Sequence, residues 1–173
     1  NSATTTVTGL TAGSSVTLRW TVSNGPVCAA LTSDVTLTND VLPVADAGTG
    51  GNVCGIGVAN SFVLSGSPTV GTGTWTKFSG PGAETFTNAN LSSRSVSVEA
   101  YGSYVFRWTE VNGTCSSFDD VTVVFWEAPS ASVAGANQAL CNTSVFTLGA
   151  TVPVVGAGQW SYVSGAAVTI TNT

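Results

Sequence analysis

Apolar and polar residues alternate over five short segments in the middle of the chain. These segments are rich in β-branched and aromatic residues and are separated by glycine, proline, asparagine and serine. Period-two alternation at this spacing predicts short strands with one apolar face each, as in a β-sandwich. The predicted strands cover residues 61–66, 73–79, 95–99, 103–111 and 120–127.

The sequence also repeats itself with a period of about 86 residues. Residues 18–21 (LRWT) match residues 106–109 (FRWT), and each match is followed by Asn-Gly. The segment that ends in Trp75 matches the one that ends in Trp160. The cysteines follow the same period, so that Cys28 corresponds to Cys115 and Cys54 to Cys141. Such a period indicates an array of small domains.

Three parts follow from this repeat. Residues 1–42 are predicted to be the C-terminal part of one unit, residues 44–127 a complete unit, and residues 130–173 the N-terminal part of the next. The outer parts cannot easily join within one chain, because the linkers are predicted to leave the complete unit at opposite poles. Placing Asn1 directly after Thr173 keeps the repeat in phase, so the chain is interpreted as one two-domain period of a longer array.

The predicted core comes from positions that stay apolar in both copies. Residues that recur as apolar at period two are expected to point inward. These core predictions are Trp20, Trp108, Phe62, Leu64 and Phe106.

The composition excludes several classes of function. The chain has no histidine, only four lysines and arginines, and a net charge of −5. This charge does not suit nucleic acid or an anionic membrane surface, and most hydrolase and metalloenzyme mechanisms lose their usual base or ligand. We therefore expect no enzymatic activity, no cofactor, no nucleic-acid partner and no membrane insertion.

The four cysteines lack the spacing of a zinc site, which favours disulfides in an oxidising compartment. The spacing from Cys54 to Cys115 is reproduced from Cys141 to Cys28 across the join, so we predict a bond between Cys54 and Cys115. Cys28 and Cys141 are then expected to bond outside this segment or in adjacent copies. A rival pairing joins Cys28 to Cys54 and Cys115 to Cys141 across the linkers.

Two groups of carboxylates are candidate sites. Asp119 and Asp120 are neighbours on a predicted strand and point to opposite faces, so they cannot act together as a catalytic pair. Asp40 and Asp46 flank a linker and offer oxygen ligands for Ca²⁺, but the next linker lacks equivalent residues, which argues against calcium.

Several motifs resemble the tandem PKD-like or immunoglobulin-like repeats of large Bacteroidota surface adhesins, including gliding-motility proteins exported by the type IX system. The segment 102–106 also resembles the tyrosine corner of immunoglobulin domains, with Trp75 in the place of their core tryptophan. The resemblance implies an extracellular, non-enzymatic stalk or adhesin on the cell surface. The motifs are residues 45–48 leading to Cys54, residues 71–75, residues 7–13, and residues 112–115 leading to 119–121.

The leading hypothesis is therefore a structural segment of a stalk, adhesin or filament that is stabilised by disulfides. Its expected partners are adjacent repeats, together with a surface polysaccharide or the substratum. One alternative is a carbohydrate-binding module that uses Phe125-Trp126 as an aromatic platform, although packing at a domain junction is favoured for this pair. Another is a filament whose subunits complete each other's half-domains by strand exchange.

Overall fold

The computed structural model describes residues 2–171 and is built from β-strands. Among these residues the helical structure is one 3₁₀ turn, Val58–Asn60. The strands are β1 (Ser14–Val22), β2 (Leu31–Asn39), β3 (Gly51–Cys54), β4 (Phe62–Ser65), β5 (Thr72–Ser79), β6 (Glu84–Phe86), β7 (Ser93–Val98), β8 (Gly102–Asn112) and β9 (Cys115–Trp126).

The five strands predicted from the alternating pattern are present as β4, β5, β7, β8 and β9. The pattern did not predict β3 and β6, which are only four and three residues long. β3 has the sequence Gly-Asn-Val-Cys, which is too short to show an alternating pattern. It becomes a strand through its parallel pairing with β9.

Strands β3 to β9 form two sheets that share one hydrophobic core. One sheet has the order β3-β9-β8-β5 and the other β4-β7-β6. Both sheets supply buried side chains, which is how two amphipathic sheets remove their apolar faces from water. The buried apolar residues are Ala47, Leu64, Trp75, Val96, Val98, Tyr104, Phe106, Trp108, Val121, Val123 and Phe125.

Aromatic residues of β5 and β8 organise this core. Trp75 packs on Trp108 with ring centroids 5.1 Å apart. A Cβ atom on Gly73 would lie 1.8 Å from the Trp108 ring, so the absence of a side chain there makes room for the indole. The Tyr104 hydroxyl donates a hydrogen bond to the carbonyl oxygen of Ala100, four residues upstream, at 2.9 Å. This contact is the tyrosine corner that the sequence predicted.

The hairpin β1-β2 reproduces the hairpin β8-β9 of the complete unit. Arg19 is registered with Asp34 as Arg107 is with Asp120, and each arginine forms a bidentate pair with its aspartate. The internal repeat is therefore present in the strand register as well as in the sequence.

Four of the five core predictions are confirmed, and one is wrong. Leu64, Phe106 and Trp108 are buried, and Phe62 is partly buried against the core. Trp20 was predicted wrongly for this chain, because 49% of its surface is exposed. Its hairpin has no second sheet to cover the inward face within residues 2–171.

Within the described part of the chain that follows Trp126, no further strand is formed. Phe146 and Leu148, which correspond to the inward-facing Phe62 and Leu64, are 46% and 51% exposed. A cavity of about 700 Å³ in this part is lined by Leu148, Trp160 and neighbouring residues. This part thus presents core-type residues that have no strands packed over them.

Replacement of a core indole should destabilise the complete unit far more than replacement of an exposed one. We expect Trp108→Ala to reduce the free energy of unfolding by about 3–5 kcal/mol, because it leaves a large cavity beside Trp75. Trp126→Ala is the matched control, since Trp126 is 60% exposed. Urea unfolding measures both variants, and equal losses would show that the inward face of β8 is assigned wrongly.

Candidate functional site at the interdomain junction

Residues 45–54 lie alongside β9 in one constant parallel register. The backbone N–H groups of Ala45 and Ala47 donate to the side chains of Ser117 and Asp119, each at 2.8 Å. The same offset continues into the regular pairing of β3, where Gly51 is registered with Val123 and Cys54 with Trp126. This segment therefore follows β9 from one pole of the unit to the other.

The linker that enters the unit is fixed to the turn between β8 and β9. The Asp40 carboxylate accepts hydrogen bonds from the N–H and the hydroxyl of Thr114, at 2.8 and 3.1 Å. The Asn112 side-chain amide donates to the carbonyl oxygen of Val41 at 2.9 Å. Gly113 has a φ of +57° and approaches Asp40 so closely that a Cβ atom there would collide with its carboxylate. Hairpin β1-β2 is thus tied to the complete unit at this junction.

A fully buried carboxylate supports the junction from inside. Glu110 accepts hydrogen bonds from Trp108 Nε1 and from the N–H and hydroxyl of Thr69, each at 3.0 Å. The Thr69 hydroxyl oxygen also accepts from the N–H of Val44 at 2.9 Å. Through Thr69, the core of the unit is connected to the residue that follows the linker proline.

The environment of Glu110 favours its charged form. Burial alone would raise the pKa of this carboxyl group, but the donors from Thr69, Trp108 and Val70 stabilise the carboxylate and hold the pKa below its ordinary value. The charge is therefore retained inside the unit near neutral pH.

Asp119 and Asp120 point to opposite faces, as the sequence predicted. Asp119 binds the N–H of Ala47, whereas Asp120 pairs with Arg107 on the outer face. The hydrogen bonds from Arg107 hold the pKa of Asp120 below its ordinary value. Arg107 also lies over the rings of Phe78 and Phe118, at 4.2 and 3.8 Å from their centroids. Both aspartates have structural partners.

The aspartates at the linker also have partners in the protein. The carboxylate of Asp40 is engaged by Thr114, and that of Asp46 accepts from the N–H of Gly48. Within residues 2–171, no three His, Cys, Asp or Glu residues are grouped in a way that could hold a metal ion.

The predicted bond between Cys54 and Cys115 is wrong within one unit. Cys115 is the first residue of β9, and Cys54 is registered with Trp126, the last residue of that 12-residue strand. At about 3.3 Å per residue the two cysteines lie about 36 Å apart. A disulfide requires Cα atoms within about 7 Å of each other. Cys28 and Cys141 are also unbonded in this structure.

The two residues of the proposed aromatic platform have different environments. Phe125 is buried in the core, whereas Trp126 is 60% exposed and donates from Nε1 to the side-chain oxygen of Asn52 at 2.8 Å. A two-residue platform is therefore absent, and Trp126 stands alone beside the outgoing linker.

Sequence reasoning missed the residues that build the junction. Glu110 directly follows the repeated FRWT segment, yet its counterpart in the first part is Val22, so the repeat did not single it out. A charged residue at an inward position of an alternating strand was the available signal. Thr69 and Thr114 carried no comparable signal, because threonine is common throughout this chain.

Comparisons with known proteins find limited structural similarity. No family model matches the chain, and no curated protein matches it. The solution structure of the PKD domain from KIAA 1837 protein is similar, with a TM-score of 0.41 and 26% identity. The match covers 55% of this chain and 92% of that domain. Separately, the described residues contain no helix that is long and apolar enough to cross a membrane.

The charge on Glu110 should make the stability of the unit depend on pH. Its folded-state pKa lies below the ordinary value of 4.5, so its contribution is present above that pH and is lost as the pH falls through the folded value. We expect Glu110→Gln to lose about 1–3 kcal/mol at pH 7, because the amide cannot accept all the donors. The difference from wild type should shrink at pH 3.

Urea unfolding at the two pH values measures this difference. Glu99→Gln is the control, since Glu99 is exposed and should show no such change. A deficit of Glu110→Gln that stays the same at pH 3 would contradict a stabilising buried charge.

Proposed function

We propose that this chain is one period of a long array of PKD-like, immunoglobulin-like β-sandwich repeats that serves as a stalk or adhesin. In this proposal the array lies outside the cell, at its surface, and spaces a binding region without catalysing a reaction. The observation that carries the proposal is the complementarity between the two ends of the chain.

The two ends present matching halves of the core found in the complete unit. Residues 130–171 expose Leu148 and line a cavity with Trp160, which correspond to Leu64 and Trp75. The other end offers Leu18 and Trp20, which correspond to Phe106 and Trp108 on β8. Trp20 of one copy would then pack on Trp160 of another, as Trp108 packs on Trp75. Each composite unit, formed by residues 130–173 of one copy and residues 1–42 of the next, would bury apolar surface that one copy leaves exposed.

The junction supports a spacing role over flexible tethering. A linker that served only as a tether would leave its backbone to solvent. Here the segment from Asp40 to Val44 is held by Thr114, Asn112 and Thr69. Pro43 within it is fully buried. Fixed linkers keep successive units in one orientation and transmit load along the array.

The extracellular assignment rests on two features. Cysteines that are predicted to bond and the resemblance to Bacteroidota surface repeats both favour export. The gliding-motility and type IX assignments belong to this same resemblance and are part of the proposal.

Carbohydrate binding is the alternative function, and it would depend on Trp126. The indole is exposed, but its nitrogen is already engaged by Asn52 and it stands at the pole where the next unit begins. In the array this position is a junction, so we favour packing against the following unit over glycan recognition.

Trp20 provides a direct test in a polypeptide of two copies joined from Thr173 to Asn1. Trp20→Ala in the second copy should reduce the stability of the composite unit by about 3–5 kcal/mol, because that indole is buried against the first copy. The same substitution in the first copy should have little effect, since no preceding copy covers that hairpin. Scanning calorimetry under reducing conditions measures both variants.

Equal effects of the two substitutions would show that the halves do not complete each other. Loss of the composite transition in the second-copy variant alone would support the array.

A further inference from the structure

We propose that the cysteines form disulfides between neighbouring units: Cys115 bonds to Cys141 of the preceding copy, and Cys54 bonds to Cys28 of the following copy. This inference rests on the proposed function, because it requires copies of the sequence to follow one another. It assigns a partner to every cysteine and places one bond at each junction.

The entrance junction, where the linker from β2 enters the complete unit, indicates where the partner of Cys115 would lie. The Cys115 sulfur lies 3.8 Å from the carbonyl oxygen of Asp40, the residue that follows β2. In the repeat, Asp40 corresponds to Trp126, and Trp126 is registered with Cys54 on the neighbouring strand. Cys141 corresponds to Cys54. When residues 130–173 of the preceding copy complete hairpin β1-β2, Cys141 is therefore placed beside Asp40.

Asp40 is the residue that both cysteines would share as a neighbour. Adjacent strands lie about 4.8 Å apart, so the Cα atom of Cys141 would be about that distance from Asp40. The Cys115 sulfur already contacts Asp40 from the other unit. Both cysteines would therefore be neighbours of Asp40, and the proposed bond requires their Cα atoms to lie within about 7 Å of each other.

The exit junction repeats this arrangement. Cys54 lies at the pole where the chain leaves the unit, and the N–H of Gly55 donates to the carbonyl oxygen of Trp126 at 2.8 Å. The turn of the following unit is formed by Asn24-Gly25 of the next copy, which corresponds to Asn112-Gly113. Cys28 follows that turn as Cys115 follows its own, so it is brought to Cys54.

These pairs create two covalent paths along the array. One path runs from Cys28 to Cys54 and continues through the disulfide to Cys28 of the next copy. The other runs from Cys115 to Cys141 and continues in the same way. In the complete unit the two paths are adjacent, because β3 belongs to the first and β9 to the second. Tension can then pass along both paths without unfolding the residues that lie between Cys54 and Cys115.

Bond formation needs an external oxidant. Two thiols lose their protons and two electrons as one sulfur–sulfur bond forms. The acceptor is a disulfide of an oxidoreductase or of a small thiol, whose own bond breaks and takes up both protons and electrons to give two thiols. Such acceptors are characteristic of the compartments in which exported proteins mature.

The test uses the two-copy polypeptide, oxidised at low micromolar concentration with glutathione disulfide and digested without reduction. Mass spectrometry should find the peptide pairs Cys28–Cys54 and Cys115–Cys141. Cys28→Ser in the second copy should abolish the first pair and leave the second intact. Cys28→Ser in the first copy is the matched control and should leave both pairs, because that cysteine has no preceding partner.

Pairs that join Cys54 to Cys115 or Cys28 to Cys141 would overturn the assignment, as would free thiols throughout or identical maps for the two serine variants. The reducing calorimetry of the Trp20 variants separates the two proposals. If the composite unit forms and the map shows other pairs, the disulfide assignment alone fails. If the composite unit does not form, the array and the assignment fail together.

Discussion

The parallel register between residues 45–54 and β9 is the constraint on which the rest of the structure depends. Because the offset is constant from Ala45 to Cys54, the incoming chain crosses the whole unit beside the outgoing strand. The two linkers consequently leave from opposite poles. The same register holds the buried face of β9 over the core and places one cysteine at each pole.

The sequence pattern predicted the longer strands and most of the inward face. Phe106 and Trp108 alternate with polar residues along a single strand. The sequence of that strand alone therefore indicates which side chains face the core. β3 could not be predicted in this way, since its position depends on pairing with a strand about 70 residues later. Glu110 was missed because its buried carboxylate is stabilised by hydrogen bonds from Thr69, and only the fold brings these two residues together.

Two predictions failed because they depend on tertiary structure that the local sequence does not define. The interval between Cys54 and Cys115 recurs in the repeat, yet the register places these residues at opposite ends of β9. Trp20 has the same local pattern as Trp108, but burial also requires a second sheet, which residues 2–171 do not provide for that hairpin. In the proposed array, the neighbouring unit supplies both the second sheet over Trp20 and the partners of the cysteines.

Force measurement on a tandem array tests the central claim most directly. With cystines between units, bridged cysteines are 26 positions apart along each path, so an oxidised array should lengthen to at most about 94 Å per copy. Bridges within single units would allow about 190 Å per copy, since two such stretches would then be in series. Without bridges, the 173 residues could extend to about 620 Å. We predict the shortest limit in oxidised arrays and the longest after reduction; an oxidised array that extends as far as a reduced one would contradict the account.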